Sequence, residues 1–147
     1  LGQFIMYQQT YGMVFGSISG VLALIVAVIT MQAKLTLIPF DIPEAETEIM
    51  SGPYVEYSGP PLAIFKLTRW MMLFTLPMVL VLLFLGGMNF HGWSILWSIL
   101  KYVVLLVLII LIRNTNPRLR IDQALKFLWG PVTFLGIVAV VLAFLGL

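Results

Sequence analysis

The stretch LIPFDIPEAETEIMSGPYVEYSG, residues 37–59, holds five of the six acidic side chains of the chain: Asp41, Glu44, Glu46, Glu48 and Glu56. Long apolar runs flank it on both sides. Carboxylates this dense are hard to keep beside membrane-spanning sequence, so they mark the first candidate for function. Asp41 is suited to cap a helix, with Ile42 and Pro43 in its first turn, where a missing N–H matters least. The early carboxylates match the positive end of the helix dipole, and Gly52-Pro53 ends the helix. At about 100° per residue, Asp41, Glu44 and Glu48 share one face, and Ile42, Ala45 and Ile49 share another. Glu46 falls beside the apolar face and is expected to point into the protein or an internal cavity. A solvated acidic helix without chemistry is the plain alternative. The repeated carboxylates, the prolines and the closing Glu56-Tyr57-Ser58-Gly59 weigh against it.

Outward from this stretch the chain is a membrane protein. Of its 147 residues 61% are hydrophobic and only 10% charged, far below the charged fraction of a soluble domain. The expected fold is all-α, a polytopic transmembrane helix bundle with four spans in a single domain over 1–147, joined by a helical acidic loop. A net charge of +2 without a basic patch argues against a nucleic-acid partner. With no cysteine, the chain can supply no disulfide, no thiolate-ligated iron–sulfur cluster and no Cys-bound nickel. With one histidine, a His-rich metal or haem site is not expected either. No catalytic residue and no metal ligand is therefore expected here. Any redox centre would sit in other subunits.

The first span is expected at about 12–33, with a stripe of small residues, Gly12, Gly16, Gly20, Ala23 and Ala27, for close helix packing. The second is expected at 62–87, kinked by Pro77. The third is expected at 93–112. The fourth is expected at 127–147, with Pro131 in its opening turns. Trp70, Trp93 and Trp129 lie near span ends, as interfacial tryptophans do. Lys34, Lys66 and Arg69 flank the acidic loop, 34–61. Arg113, Arg118, Arg120 and Lys126 flank or fill the loop at 113–126. Four spans put both loops on one side, and the positive-inside rule makes that side cytoplasmic, in the cell membrane. Lys101 is the one charge inside a span. It has two readings, a lysine that snorkels to the interface or a step in an ion path paired with a carboxylate.

Pro39-Phe40-Asp41-Ile42-Pro43-Glu44-Ala45-Glu46, followed by Glu56-Tyr57-Ser58-Gly59, resembles the membrane subunit of respiratory complex I called subunit 1 or H, and its relatives in membrane-bound [NiFe] hydrogenases. Pro117-Arg118-Leu119-Arg120-Ile121-Asp122-Gln123 with Trp129 resembles that family's second charged loop. The resemblance covers roughly residue 12 to the C-terminus. Because family members are longer, it implies that the chain is a C-terminal half. It also implies that the subunit docks a peripheral redox arm and starts a carboxylate-lined ion path. Asp41, Glu44, Glu46, Glu48 and Glu56, with Lys101, would serve the path. Tyr57, Arg69, Arg118, Arg120 and Asp122 would serve docking.

Within the family, Leu37 stands where quinone-reducing relatives usually carry arginine, and Thr68-Arg69-Trp70 stands where they often carry Ala-Glu-Tyr. Ser51-Gly52-Pro53 looks like the hydrogenase branch. The expectation is therefore a membrane-anchor and coupling subunit of a ferredoxin-linked, ion-translocating [NiFe] hydrogenase. Its partners would be the hydrogenase large and small subunits, antiporter-like membrane subunits, the lipid bilayer and, indirectly, ferredoxin. The [NiFe] centre and the iron–sulfur clusters would lie in partner subunits. The alternatives are the H subunit of a quinone-reducing complex I-type enzyme, a sulfur-reducing relative, and a structural anchor without a transport role. If the facing of the acidic helix is right, Glu46→Gln lowers coupled ion transport in vesicles more than Glu48→Gln does. Equal effects would contradict it.

Overall fold

Ser17 starts the first helix. Its Oγ accepts the Gly20 N–H at 3.0 Å, satisfying one of the donors a helix start leaves open. The computed structural model describes residues 2, 3, 6, 8, 12–41, 56–88 and 92–146. Among these it is all-helical, with no strand. α1 spans Ile18–Lys34, α2 Pro60–Phe84, α3 Ser94–Thr115 and α4 Ile121–Phe144.

α1 is shorter than the expected span at 12–33. Gly12 has φ +105°, a 3-10 turn covers Val14–Gly16, and the Ser17 hydroxyl then resets the chain. Hydropathy does not register this break, because the residues around it are apolar. The regular helix has 17 residues, about 25 Å by helical rise. The small-residue stripe divides accordingly. A Cβ on Gly20 would lie 1.8 Å from the Val14 carbonyl oxygen, so Gly20 lets the 3-10 turn fold onto its own helix. Ala23 and Ala27 instead face a groove shared with Gly136, Ala139 and Ala143 of α4.

α2, α3 and α4 are each long and apolar enough to cross a membrane. α2 opens with Pro60 and Pro61, which the first turn tolerates, and carries Pro77 fully buried within it. α4 starts at Ile121, not at 127. The region 113–126 is therefore largely helical, and only 116–120 links α3 to α4. The Arg120 N–H bonds Gln123 Oε1 at 3.3 Å, and Asp122 sits in the first turn, where the dipole favours a carboxylate. Pro131 consequently lies well inside α4. A π turn at Leu128–Val132 accommodates its missing N–H, and the Thr133 hydroxyl donates to the Leu128 carbonyl at 2.8 Å.

The core is small. Val28, Met31, Leu35 and Leu37 from α1 and the turn after it pack on Leu80 and Val81 of α2 and on Leu105 and Ile109 of α3. Gln32 lies among them, 1% exposed, and its amide donates to the Ile109 carbonyl at 3.0 Å. Outside this cluster the helices present large apolar side chains outward, among them Trp93, Trp97, Trp129 and Phe134. Such a surface suits lipid or further subunits, not water.

Gly20→Ala should destabilise the protein by about 1–3 kcal/mol, because the backbone at Val14 has to move. Gly136→Ala should be tolerated, since its Cβ would stand 3.9 Å from Val26. Denaturant unfolding in mild detergent compares the two, and a larger loss at Gly136 would contradict this account of the stripe.

Candidate functional site

The polar end of the bundle is built on the way α1 stops. The Leu37 N–H reaches the Gln32 carbonyl at 3.3 Å and the Thr36 N–H reaches Ala33 at 3.2 Å, with Thr36 at φ +50°. This pairing closes a helix end with a left-handed residue, a position usually left to glycine because a Cβ there crowds the backbone. It tucks Leu37 into the core and directs the Thr36 carbonyl to Arg69 of α2, whose Nη2 lies 3.1 Å away.

The next residues meet the second charged loop. Arg118 Nη2 donates to Asp41 Oδ2 at 2.7 Å, and the Leu119 N–H donates to the Pro39 carbonyl at 3.1 Å. The Phe40 ring stacks on Phe127 of α4, with centroids 6.2 Å apart. A salt bridge, a backbone bond and a ring contact thus tie 37–41 to 117–127. The other Asp41 oxygen, Oδ1, is buried without a protein donor among the described residues, so the carboxylate leans on Arg118.

Two cavities border this junction. One, of about 290 Å³, is lined by Leu37, Asp41, Lys66, Arg69, Trp70 and Arg113, among others. The other, of about 340 Å³, lies beneath Pro39 and Phe40 and is reached by Gln32, whose buried Oε1 also lacks a protein donor among the described residues. Sequence reading did not single out Gln32, Thr36, Lys66 or Arg113 as site residues. The available signal for Gln32 was a side-chain amide within an apolar run.

The sequence-expected residues divide between places. Asp41 and Arg118 meet. Arg69 lies beside them across the first cavity. Arg120 and Asp122 stand at the start of α4, both exposed. Glu56 is exposed at the approach to α2, and the ring of Tyr57 lies 5.2 Å from that of Phe65. Glu44, Glu46 and Glu48, and the helix expected over them, lie outside the described residues. Lys101 is at the opposite end of α2, where its Nζ donates to the Leu85 carbonyl at 2.7 Å. It caps the C-terminal end of that helix, where a cation is favoured.

A profile of the family described as NADH dehydrogenase matches residues 1–144. The chain belongs to the NADH dehydrogenase subunit 1/H family. Relatives named as the H subunit of NADH-quinone oxidoreductase resemble it at this level. The one from Geobacillus thermodenitrificans is 40% identical over 126 residues, covering 82% of this chain and 38% of the relative. The one from Brevibacillus brevis is 42% identical over 110 residues, covering 71% and 33%. The one from Neorickettsia sennetsu is 39% identical over 123 residues, covering 76% and 37%. The chain thus spans little more than a third of the length of the relatives it matches. Three of its helices are long and apolar enough to cross a membrane, as a membrane-embedded, multi-pass chain requires.

Arg118→Gln should cost more stability than Asp41→Asn, because it strands a carboxylate whose Oδ1 is buried. The double variant should lose no more than Arg118→Gln alone, with a coupling of about 1 kcal/mol for this partly exposed pair. Additive losses in a double-mutant cycle would show that the bridge holds nothing.

Proposed function

We propose that the chain is the C-terminal part of the H subunit of a complex I-type NADH–quinone oxidoreductase. In this reading it anchors the peripheral redox arm in the cell membrane and passes the effect of electron transfer to an ion path through the acidic loop. The subunit is non-catalytic, and redox centres belong to partner subunits. The observation that carries the proposal is the junction of Asp41 with Arg118 and Pro39 with Leu119. It joins both charged loops into one polar end on an otherwise apolar bundle. A peripheral arm needs such an end, and the positive-inside rule would place it in the cytoplasm. In this reading a change of charge at a partner's redox centre would act on the acidic loop through the electric field it sets up.

The names of the relatives favour the quinone reaction over the hydrogenase and ferredoxin expectation, which they do not support. The structure also weakens the sequence argument against quinone. Leu37 and Arg69, the two departures from the quinone-reducing pattern, line the same cavity. A cation missing at 37 is matched by one entering from α2. The sequence Ser51-Gly52-Pro53 remains the feature in favour of a [NiFe] hydrogenase assembly, the second reading.

Mass spectrometry of the proteins co-purifying in mild detergent, with nickel analysis and a quinone-reductase assay, separates the two. The expected result is a nickel-free assembly that oxidises NADH with a short-chain quinone and is inhibited by quinone-site inhibitors. A stoichiometric nickel protein without quinone reduction would overturn the proposal in favour of the second reading.

A further inference from the structure

Gln32 lies near the end of α1, buried, and the two ends of its amide are treated differently. Nε2 donates to the Ile109 carbonyl of α3 at 3.0 Å, which fixes the amide in place. Oε1 has no protein donor among the described residues. A buried acceptor left without a donor is costly, and native interiors supply one. Gln32 lines the cavity of about 340 Å³ beneath Pro39 and Phe40, so the cavity is where such a donor finds room.

This cavity opens toward the polar end of the bundle. Gln32 and Phe40 form its buried end. Asn116 and Pro117, both exposed on the link between α3 and α4, form its mouth. Arg118 and Arg120, exposed on the same link, mark that side as the aqueous one. Ile109, which anchors the Gln32 amide, lies about 9 Å by helical rise from Thr115 at the end of α3.

Water fits this space better than other occupants do. The volume holds several molecules at about 30 Å³ each. A cation would meet Oε1, but no carboxylate lines the cavity to balance it. An acyl or isoprenoid chain would suit Ile29, Ile112 and Phe127, but would leave Oε1 without a donor. Asn116 donates through Nδ2 to the Ile112 carbonyl at 2.9 Å. It gives entering water a second amide, anchored about one turn along α3 from the first.

We propose that the cavity is a water-filled inlet running from the 116–120 link to Gln32, where its innermost molecule donates to Oε1. It carries solvent under Pro39 and Phe40 to the edge of the apolar core, where Ile109 is fully buried. The inlet depends on residues of this chain and on a polar end that faces water. It stands apart from the choice between quinone and hydrogenase.

The chain has no cysteine, so a single introduced one reports on the inlet. The complex containing this subunit is purified with Ile112→Cys in the cavity wall, or with Leu105→Cys in the core outside it. Each is treated with a small, charged methanethiosulfonate, and the mass of this subunit is followed over time. Ile112→Cys should react about tenfold or more faster than Leu105→Cys, because a hydrated thiol ionises and meets the reagent. Gln32→Met in the Ile112→Cys background should slow the reaction about threefold or more, as the innermost water loses its acceptor. Mere loosening of the bundle would speed it instead. If Ile112→Cys does not assemble, Ile29→Cys reads the same cavity. In an electron cryomicroscopy map of the unaltered complex, a compact peak should stand about 2.8 Å from Gln32 Oε1. Cavity variants as slow as Leu105→Cys, or a rate that Gln32→Met leaves unchanged or raises, would overturn the inlet. So would density at Oε1 for an elongated chain or for a side chain of another subunit.

Discussion

A carboxylate at the edge of an apolar core has to find donors to replace the water it gives up, and in this bundle Arg118 meets Asp41. The rest of the polar end is arranged around that requirement. Asp41 is brought into place by the turn that closes α1, and Arg118 by the short link before α4. The Pro39 carbonyl and the Leu119 N–H satisfy each other across the same gap. Because both partners come from loops distant in sequence, the pair also fixes how α1 and α4 approach, and with them the groove that Ala27 and Ala139 share.

Much of this was legible from the residues. Apolar run lengths marked where the long helices lie, and Pro39-Phe40-Asp41 together with Pro117-Arg118-Leu119-Arg120 marked the two loops that meet. The start of α1 was not legible, because a serine cap and a 3-10 turn interrupt an apolar run without changing its hydropathy. The start of α4 was hidden for the opposite reason. Arg120, Asp122 and Lys126 read as a loop by charge, yet Gln123 and the helix dipole make the same residues a good helix opening. Pro131 lay outside the expected opening-turn position because a π turn can absorb a proline that an α turn cannot.

Function was legible in kind and less so in branch. The motifs pointed to the family, but single positions were weak guides to the reaction. Leu37 lacks a charge, and its consequence depends on what stands opposite it, which is Arg69 on another helix. Lys101 shows the same limit. In sequence it is a charge stranded inside a span. In space it closes the end of α2 through the Leu85 carbonyl, a structural duty that neither sequence reading named.

If α1 crosses a bilayer, its shortness acts on the bilayer itself. Its regular part of about 25 Å is shorter than a hydrocarbon layer of roughly 30 Å. Hydrophobic mismatch of this sign thins the membrane locally or draws the helix ends inward. The turn at Thr36 and the salt bridge beyond it would then sit below the average membrane surface. Part of the transmembrane voltage would fall across them, so that any charge moved near Asp41 would feel the electric field and not only its neighbours.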